Sequence, residues 1–426
     1  MFRLPVRQND AGEKMVRGVG YPRSVLLAVC SALIVLCTGN SAPDESRAGM
    51  TSPRGTYSYV LRNFYYPVDA DAQSCPQQSL GSLELFEQGL SPQDRAEYGG
   101  PQNREKRMKL MAERLGLKNV RLPAKMRTDD ADSEALAKAR MQLGVAPGKG
   151  AVVSLGSRFA YDTCSDPEDF PQFDRGNQTF LGPVSIGANL DGKVSKDNFT
   201  GPDGTRGIDN NLLRATGCNL GVKDSGDTKL AEKSLRSQTA PTAIELSGVD
   251  SFENDDDVTL KVYAAAQSLE TGANGDALRY ASIDLDGDQR YTAQVRARIV
   301  NGVLTTEPFA FAMRQKESVV EAYMGFVGTR LTIHFAPDGT IAGTAFGYQT
   351  LDSLDFIYHH LSQIAADYSG TSCPAITSAL HRMADGFPDP RTHRFTAISA
   401  AYRFSGVPAF LIHSGGPGPS SGRTAR

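Results

Sequence analysis

The chain has 426 residues, of which 40% are hydrophobic and 22% are charged, and it contains 42 glycines and 23 prolines. That apolar content is enough for sizeable cores and excludes a chain that is disordered throughout. The formal net charge is -3, which gives no overall basic field. We therefore predict no nucleic-acid partner.

An uncharged apolar run occupies residues 25–37. It is too short to span a bilayer, which needs about 20 apolar residues. Its length, with Arg17 and Arg23 in front of it and small residues behind it, is typical of a signal peptide. We predict a signal peptide over residues 1–42, with translation starting at Met15. The protein is then exported, periplasmic or extracellular, with no transmembrane span in the mature chain.

Removal of this peptide leaves four cysteines, which are Cys75, Cys164, Cys218 and Cys373. An even number of cysteines in an oxidising compartment indicates two disulfide bonds. The sequence leaves open all three ways of pairing these four cysteines. No pair of the four has the C-x-x-C spacing, which argues against a zinc ribbon or a thioredoxin-type centre.

The first part of the mature chain, residues 43–159, is predicted to be a helical N-terminal region. Within it, residues 102–116 and 129–143 are rich in helix formers, and AVVSL at 151–155 is typical of a strand. Residues 160–240 are different, because Gly, Asp and Asn dominate and two cysteines lie among them. We predict a loop segment there that disulfides hold in place.

Hydrophobic residues alternate with a period of two through much of residues 241–413, as in the run that begins at Val258. Asn301 and Gly302 stand between two such runs, which is the strongest short signal for a β-hairpin. A Pro-Asp-Gly turn at 337–339 predicts a second hairpin.

A helical period returns near the end of the chain, over residues 351–368 and 374–384. The polar, glycine-rich end at 414–426 is predicted to be a disordered tail. We predict a mainly β (α+β) fold. It has an antiparallel β-sandwich-like core over 241–413, a helical N-terminal region and two C-terminal helices.

Oxygen-bearing side chains recur on glycine-rich loops, where Ca²⁺ could be held. The ion needs six to eight oxygen atoms at about 2.3–2.6 Å. We predict calcium ligands in the stretch LDGKVSKDNFTGPDGTRGIDNN and in the acidic run before a strand, namely Asp203, Asp209, Asn210, Asp255 and Asp257. The alternative is that these side chains only make turns.

Familiar catalytic patterns do not fit the chain. GVAPGKG at 144–150 lacks the Ser or Thr of a phosphate-binding loop, and H-E-x-x-H does not occur. A pair of carboxyl groups for glycoside hydrolysis is set by the fold and leaves no spacing in the sequence. Catalytic activity is therefore an open question, and the absence of a motif favours a protein that is not an enzyme.

Several short segments stand out along the mature chain: CPQQ near residue 75, GPDGTRGIDNNLLRATGC, VDSFENDDDV, NGVLTTEP, ADGFPDP and SGVPAF. Together they resemble a family of exported bacterial proteins of unknown function. The resemblance covers most of the mature chain. It implies export and one integrated unit, and it implies no activity.

We predict a non-catalytic ligand-binding or structural module of the envelope, stabilised by calcium, whose partner is a glycan or another envelope component. The alternative is a secreted hydrolase that uses an Asp/Glu acid–base pair on a glycan-type substrate. A carboxyl group with a strongly raised pKa in a deep pocket would favour the enzyme. A shallow, exposed sheet face with aromatic side chains would favour the binding module.

Overall fold

The computed structural model describes residues 55–65, 67–68, 73–115, 163–164, 167–219, 241–316, 321–360 and 370–413. All of them belong to one unit, Ser46–Arg426. The predicted signal peptide at 1–42, the helix at 129–143, the strand at 151–155 and the tail at 414–426 lie outside the described residues.

The helices are α1 (Ser82–Gln88), α2 (Pro92–Tyr98), α3 (Arg104–Arg114), α4 (Asn211–Thr216), α5 (Leu351–His360) and α6 (Cys373–Met383). The strands are β1 (Gly55–Tyr65), β2 (Phe199–Thr200), β3 (Arg206–Ile208), β4 (Thr242–Val249), β5 (Asn254–Ala264), β6 (Ala281–Asp284), β7 (Ala293–Val300), β8 (Val303–Thr306), β9 (Phe309–Lys316), β10 (Glu321–Phe335), β11 (Ile341–Thr350), β12 (Gly386–Pro388) and β13 (Phe395–Ile412). Within the part of the chain that the structure describes, no helix is both long and apolar enough to cross a membrane.

Eight strands form a closed antiparallel barrel in the order β1-β4-β5-β7-β8-β10-β11-β13, and β13 pairs again with β1. Strand β1 closes the ring, because Tyr59 pairs with Ile244 of β4 and Val60 pairs with Val407 of β13. The mainly β prediction is therefore confirmed. The sheet is a closed barrel rather than the sandwich we predicted, because a strand from the range predicted as helical joins its two edges.

Alternating apolar side chains from these strands point inward and fill the barrel. Leu246, Leu260 and Ile333 are almost completely buried. A cavity between Leu61 and Phe404 measures about 10 Å³, which is at the lower limit for one water molecule. Barrels of eight strands are just wide enough for side chains to fill. The side chains around this cavity therefore leave no room for a ligand of ordinary size between them.

Both predicted hairpins are confirmed. Asn301 and Gly302 connect β7 to β8 with φ of 49° and 80°, as a turn with two left-handed residues requires. In the second hairpin, the backbone N–H of Gly339 donates to the carbonyl oxygen of Ala336 between β10 and β11. These turns set the registers in which alternate side chains of the strands face inward.

The two C-terminal helices pack on the barrel, as predicted. Ile376, Ala379 and Leu380 of α6 belong to the same apolar cluster as the side chains inside the barrel. Residues 361–368 of the predicted first helix lie outside the described residues, and α5 is described over Leu351–His360. Cys373, at the start of α6, forms a disulfide with Cys164.

The Gly- and Asp-rich segment has a small core of its own, built around the second disulfide. Cys75 and Cys218 are bonded and lie in an apolar cluster with Phe180 and Phe199. The guanidinium of Arg214 lies 3.6 Å from the centre of the Phe199 ring and donates to two carbonyl oxygens. The prediction of two disulfides is thus confirmed, and the pairing is Cys75–Cys218 and Cys164–Cys373.

A histidine on α6 faces an aspartate on α5, and this pair gives a pH-dependent expectation. The Nε2 atom of His381 lies 2.9 Å from a carboxylate oxygen of Asp355, and this hydrogen bond raises the pKa of His381 above 6.5. The pair stabilises the fold below pH 6.5 and loses its effect as the pH rises through the raised pKa. Because the His381 side chain is 48% exposed, we expect the pair to contribute about 0.5 kcal/mol to the free energy of unfolding.

An NMR titration of the His381 ring checks this expectation. The Asp355→Asn variant should lower the pKa of His381, whereas Glu307→Gln should leave it unchanged, because Glu307 is not among the charged groups that shift the His381 pKa. An unchanged His381 titration in Asp355→Asn would contradict the assignment.

Candidate ligand-binding groove

A break in the barrel wall creates a groove on its outer face. Strands β8 and β9 would form one continuous strand beside β10, but Glu307 and Pro308 interrupt them. Proline has no backbone N–H to give to a strand pair. Opposite this break, β10 shifts register between Val327 and Arg330. The resulting groove has a volume of about 340 Å³, which is in the range of small-ligand sites.

Three arginines line the groove. Arg296 and Arg298 alternate along β7 with buried residues, so both point outward, and Arg330 comes from β10. Among the described residues, Arg298 and Arg330 have no hydrogen-bond or ion-pair partner. Arg296 lies 3.9 Å from Asp257, and both side chains are largely exposed, so this pair is weak. The guanidinium groups of Arg298 and Arg330 are therefore available to bind another molecule.

Acceptor oxygens lie among the arginines. Asp256 belongs to the bulge that shifts the register of β5 against β7, and Glu307 follows β8. The half-buried Thr305 adds a hydroxyl to the lining. Guanidinium groups bind carboxylate, sulfate or phosphate through paired N–H donors, while carboxylates accept hydrogen bonds from hydroxyl groups. The groove therefore suits a ligand that carries both an acidic group and hydroxyl groups.

The predicted calcium residues of the Gly- and Asp-rich segment have protein partners. Asp203 accepts from the backbone N–H and the hydroxyl of Thr205, and the first of these bonds is the main reason that its pKa is lowered. Asp209 is buried and accepts from the backbone of Leu190 at 2.7 Å. Asn210 caps α4 by accepting from the backbone N–H of Leu213.

The predicted calcium residues of the acidic run also have other roles. Asp255 accepts from the backbone N–H groups of Asp250, at 2.6 Å, and of Asp257, at 3.1 Å, so it organises the loop before β5. The side chain of Asp257 is 87% exposed and faces Arg296. Backbone amides thus offset part of the charge of this run.

No three His, Cys, Asp or Glu side chains in the described ranges are arranged to hold a metal ion. Calcium binding therefore stays a prediction from the sequence. A melting curve of metal-stripped protein tests it, since added Ca²⁺ should raise the melting temperature and EDTA should reverse that change. An equal rise with Mg²⁺ would indicate a general effect of divalent ions.

A second cluster of acidic groups lies on the outer face of β11 and β13. Asp385 accepts from the backbone N–H and the hydroxyl of Ser399, both at 2.7 Å, and from the side-chain amide of Asn211 at 2.9 Å. Burial raises the pKa of Asp385 and of Asp209. Burial, followed by the charge of Asp385, raises the pKa of Tyr348 to about 12. Neither carboxyl group lines the groove.

The predicted site residues did not include the arginines. A signal for two of them exists, because Arg296 and Arg298 are charged positions in a strict alternation with Val295, Ala297 and Ile299. That pattern marks a solvated strand face and says nothing about a ligand. Arg330 joins them through the pairing of β8 with β10, for which the sequence has no local signal.

The structure defines the protein as a filled up-and-down barrel of eight strands with an arginine-lined groove on its outer face. No protein-family model matches the chain, and no curated protein or solved structure matches it either. A fold does not by itself determine a function, so the function has to be argued from the site.

Proposed function

We propose that this protein is an exported, non-catalytic binding module of the cell envelope that holds an acidic glycan in the arginine-lined groove. One observation carries the proposal: Arg296, Arg298 and Arg330 meet around a groove of about 340 Å³, and the last two have no partner among the described side chains. The two disulfides are compatible with an oxidising compartment.

The mixed charge of the groove favours a sugar acid over other anions. A polyanion such as nucleic acid would meet Asp256 and Glu307 as well as the arginines, and the net charge of the chain is -3. A sugar acid carries one acidic group among many hydroxyls. Its acidic group pairs with guanidinium donors and its hydroxyls donate to the carboxylates.

The hydrolase alternative is supported by the raised pKa of two carboxyl groups, Asp209 and Asp385. The oxygens of Asp385 already accept hydrogen bonds from Ser399 and Asn211, and those of Asp209 accept from Leu190 and Asn198. The bonds of Asp385 join β13 to α4, and those of Asp209 hold together the Gly- and Asp-rich segment. We therefore favour binding over hydrolysis.

The experiment is a titration of the protein with acidic and neutral oligosaccharides by calorimetry. Each exposed guanidinium contact is worth about 1 kcal/mol. The double variant Arg298→Ala/Arg330→Ala should therefore bind the acidic ligand about 30-fold more weakly. The wild-type affinity should also fall as salt is added.

The matched control is Arg403→Ala, an exposed arginine of β13 that does not line the groove. It should leave the affinity unchanged. An equal loss of affinity in Arg403→Ala would contradict the proposal. Equal binding of neutral and acidic sugars by the wild type would contradict it as well. Release of reducing ends from the bound glycan would instead support the hydrolase.

A further inference from the structure

We propose that the exposed ring of Phe387 forms a second sugar subsite directly beside the groove, so that the ligand spans at least two sugar units. This inference rests on the proposed function, because it extends the same binding site. The acidic sugar lies among the arginines of the groove, and its neighbour lies with its C–H face on the Phe387 ring.

The Phe387 ring is held in place and half exposed. Its backbone has a φ of 54°, a left-handed conformation that is uncommon for residues other than glycine. The hydroxyl of Thr396 donates to its carbonyl oxygen at 2.6 Å and fixes the chain there. The ring packs edge-on against Tyr348 with 5.4 Å between ring centres, and 48% of the residue is exposed.

The Phe387 ring packs against the backbone of Gly328. A Cβ atom at position 328 would lie 2.9 Å from the Cζ atom of Phe387, and the φ of Gly328 is 57°. A side chain there would push the ring away from the barrel wall and would also strain the backbone. The bare backbone at this point lets the ring lie close against β10.

The same stretch of β10 lines the groove. Gly328 contacts Phe387, Thr329 is buried, and Arg330 is exposed and lines the groove. Gly328 and Thr329 form the bulge at which β10 shifts register against β11. The contact of Gly328 with Phe387 and the place of Arg330 in the groove lining are two residues apart on this strand. The ring therefore lies against the same short stretch of β10 that carries the guanidinium, where we expect neighbouring units of one oligosaccharide to bind.

The chemistry of the second subsite suits a sugar. The C–H groups on one face of a pyranose pack on an aromatic ring, and amphipathic aromatic side chains suit ligands that are apolar on one side and polar on the other. The chain has no tryptophan, so phenylalanine or tyrosine has to provide such a ring. The hydroxyl of the half-buried Tyr348 can donate to a sugar oxygen.

The first test compares ligands of two lengths. Phe387→Ala should bind an acidic disaccharide or longer oligosaccharide about 10-fold more weakly and an acidic monosaccharide with unchanged affinity. Arg330→Ala should weaken both. The matched control is Phe410→Ala, which removes a ring that is 58% exposed beside Tyr280 at the other end of the long strand β13. It should change neither affinity.

The second test uses the absence of tryptophan from the chain. In Phe387→Trp, the single indole should change its emission when the acidic oligosaccharide is added. In Phe410→Trp, the emission should stay constant. This readout reports contact at the ring itself, so it does not depend on the size of the affinity change.

The outcomes distinguish the second subsite from the proposed function of the groove. Normal oligosaccharide binding by Phe387→Ala, with weak binding by Arg330→Ala, would overturn the second subsite and leave the groove as the binding site. Failure of the wild type to bind any acidic sugar would overturn the proposed function and the subsite with it. Circular dichroism of Phe387→Leu, which keeps an apolar side chain, shows whether a loss of binding reflects misfolding.

Discussion

Replacing either pair of bonded cysteines with alanine should lower the free energy of unfolding by about 3–5 kcal/mol. Cys75 and Cys218 are separated by 143 positions, and Cys164 and Cys373 by 209. Bridges over such long distances remove many conformations from the unfolded chain, so their loss favours unfolding. All four residues are also buried, at 3% exposure or less, so the variants leave poorly packed space behind.

Urea unfolding of the mature protein checks this expectation, with the midpoint compared before and after each double substitution. A reductant should shift the midpoint of the wild type further than that of either variant, because each variant has only one bridge left to lose among the described cysteines. Peptide mapping without reduction should recover the two bridged peptides. Equal midpoints for the oxidised and reduced wild type would contradict the prediction.

Replacing Asp385 with alanine should lower the free energy of unfolding by about 3 kcal/mol. This carboxylate joins β13 to α4, because it accepts two hydrogen bonds from Ser399 and one from Asn211. Its removal leaves the backbone N–H and the hydroxyl of the buried Ser399 without this acceptor, while the Asn211 amide still donates to the carbonyl oxygen of Met383. Ser399→Ala keeps the carboxylate and removes the hydroxyl, which donates to Asp385 and accepts from the backbone N–H of Asn211, so it should cost about 2 kcal/mol.

The effect of Asp385→Ala should depend on pH in a defined direction. Burial raises the pKa of Asp385 above 3.8 in the folded protein, so the folded state binds its proton more tightly than the unfolded state does. Stability from this group therefore increases as the pH falls through the raised pKa and decreases as the pH rises. The difference between wild type and variant should be larger near pH 4 than at neutral pH.

Urea unfolding at the two pH values measures this difference. Ser399→Ala serves as the control, because it retains the carboxyl group and with it a pH dependence of the same sign. A difference that grows toward neutral pH would contradict the prediction. It would show that the folded protein stabilises the charged form of Asp385, whereas burial favours the neutral form.

Much of the barrel could be predicted, and its closure could not. In β5 and β7 the buried residues are two positions apart, so alternation revealed them. In β1 a register shift between Leu61 and Asn63 breaks this rule, and the buried Leu61 and Phe64 are three positions apart. A bulge of this kind hides a strand from any search for a period of two.

The candidate site was less predictable for a related reason. The acidic and glycine-rich motifs attracted attention because their residue types are typical of calcium loops, yet Asp203 and Asp255 organise local turns through backbone N–H groups. The arginines of the groove come from β7 and β10, and the interruption at Pro308 brings them around one space. Such a site depends on strand pairing, which residue spacing does not encode.

The position of β1 also has a consequence for the order of folding. The barrel strands from β4 to β13 are joined by shorter connections, the longest of which is residues 351–394, whereas residues 66–241 separate β1 from its neighbour β4. Contacts between distant parts of a chain form slowly, because the loop entropy is lost before the contact is gained. We therefore expect the first-synthesised strand to dock last, and the unpaired edges of β4 and β13 to need protection until it does.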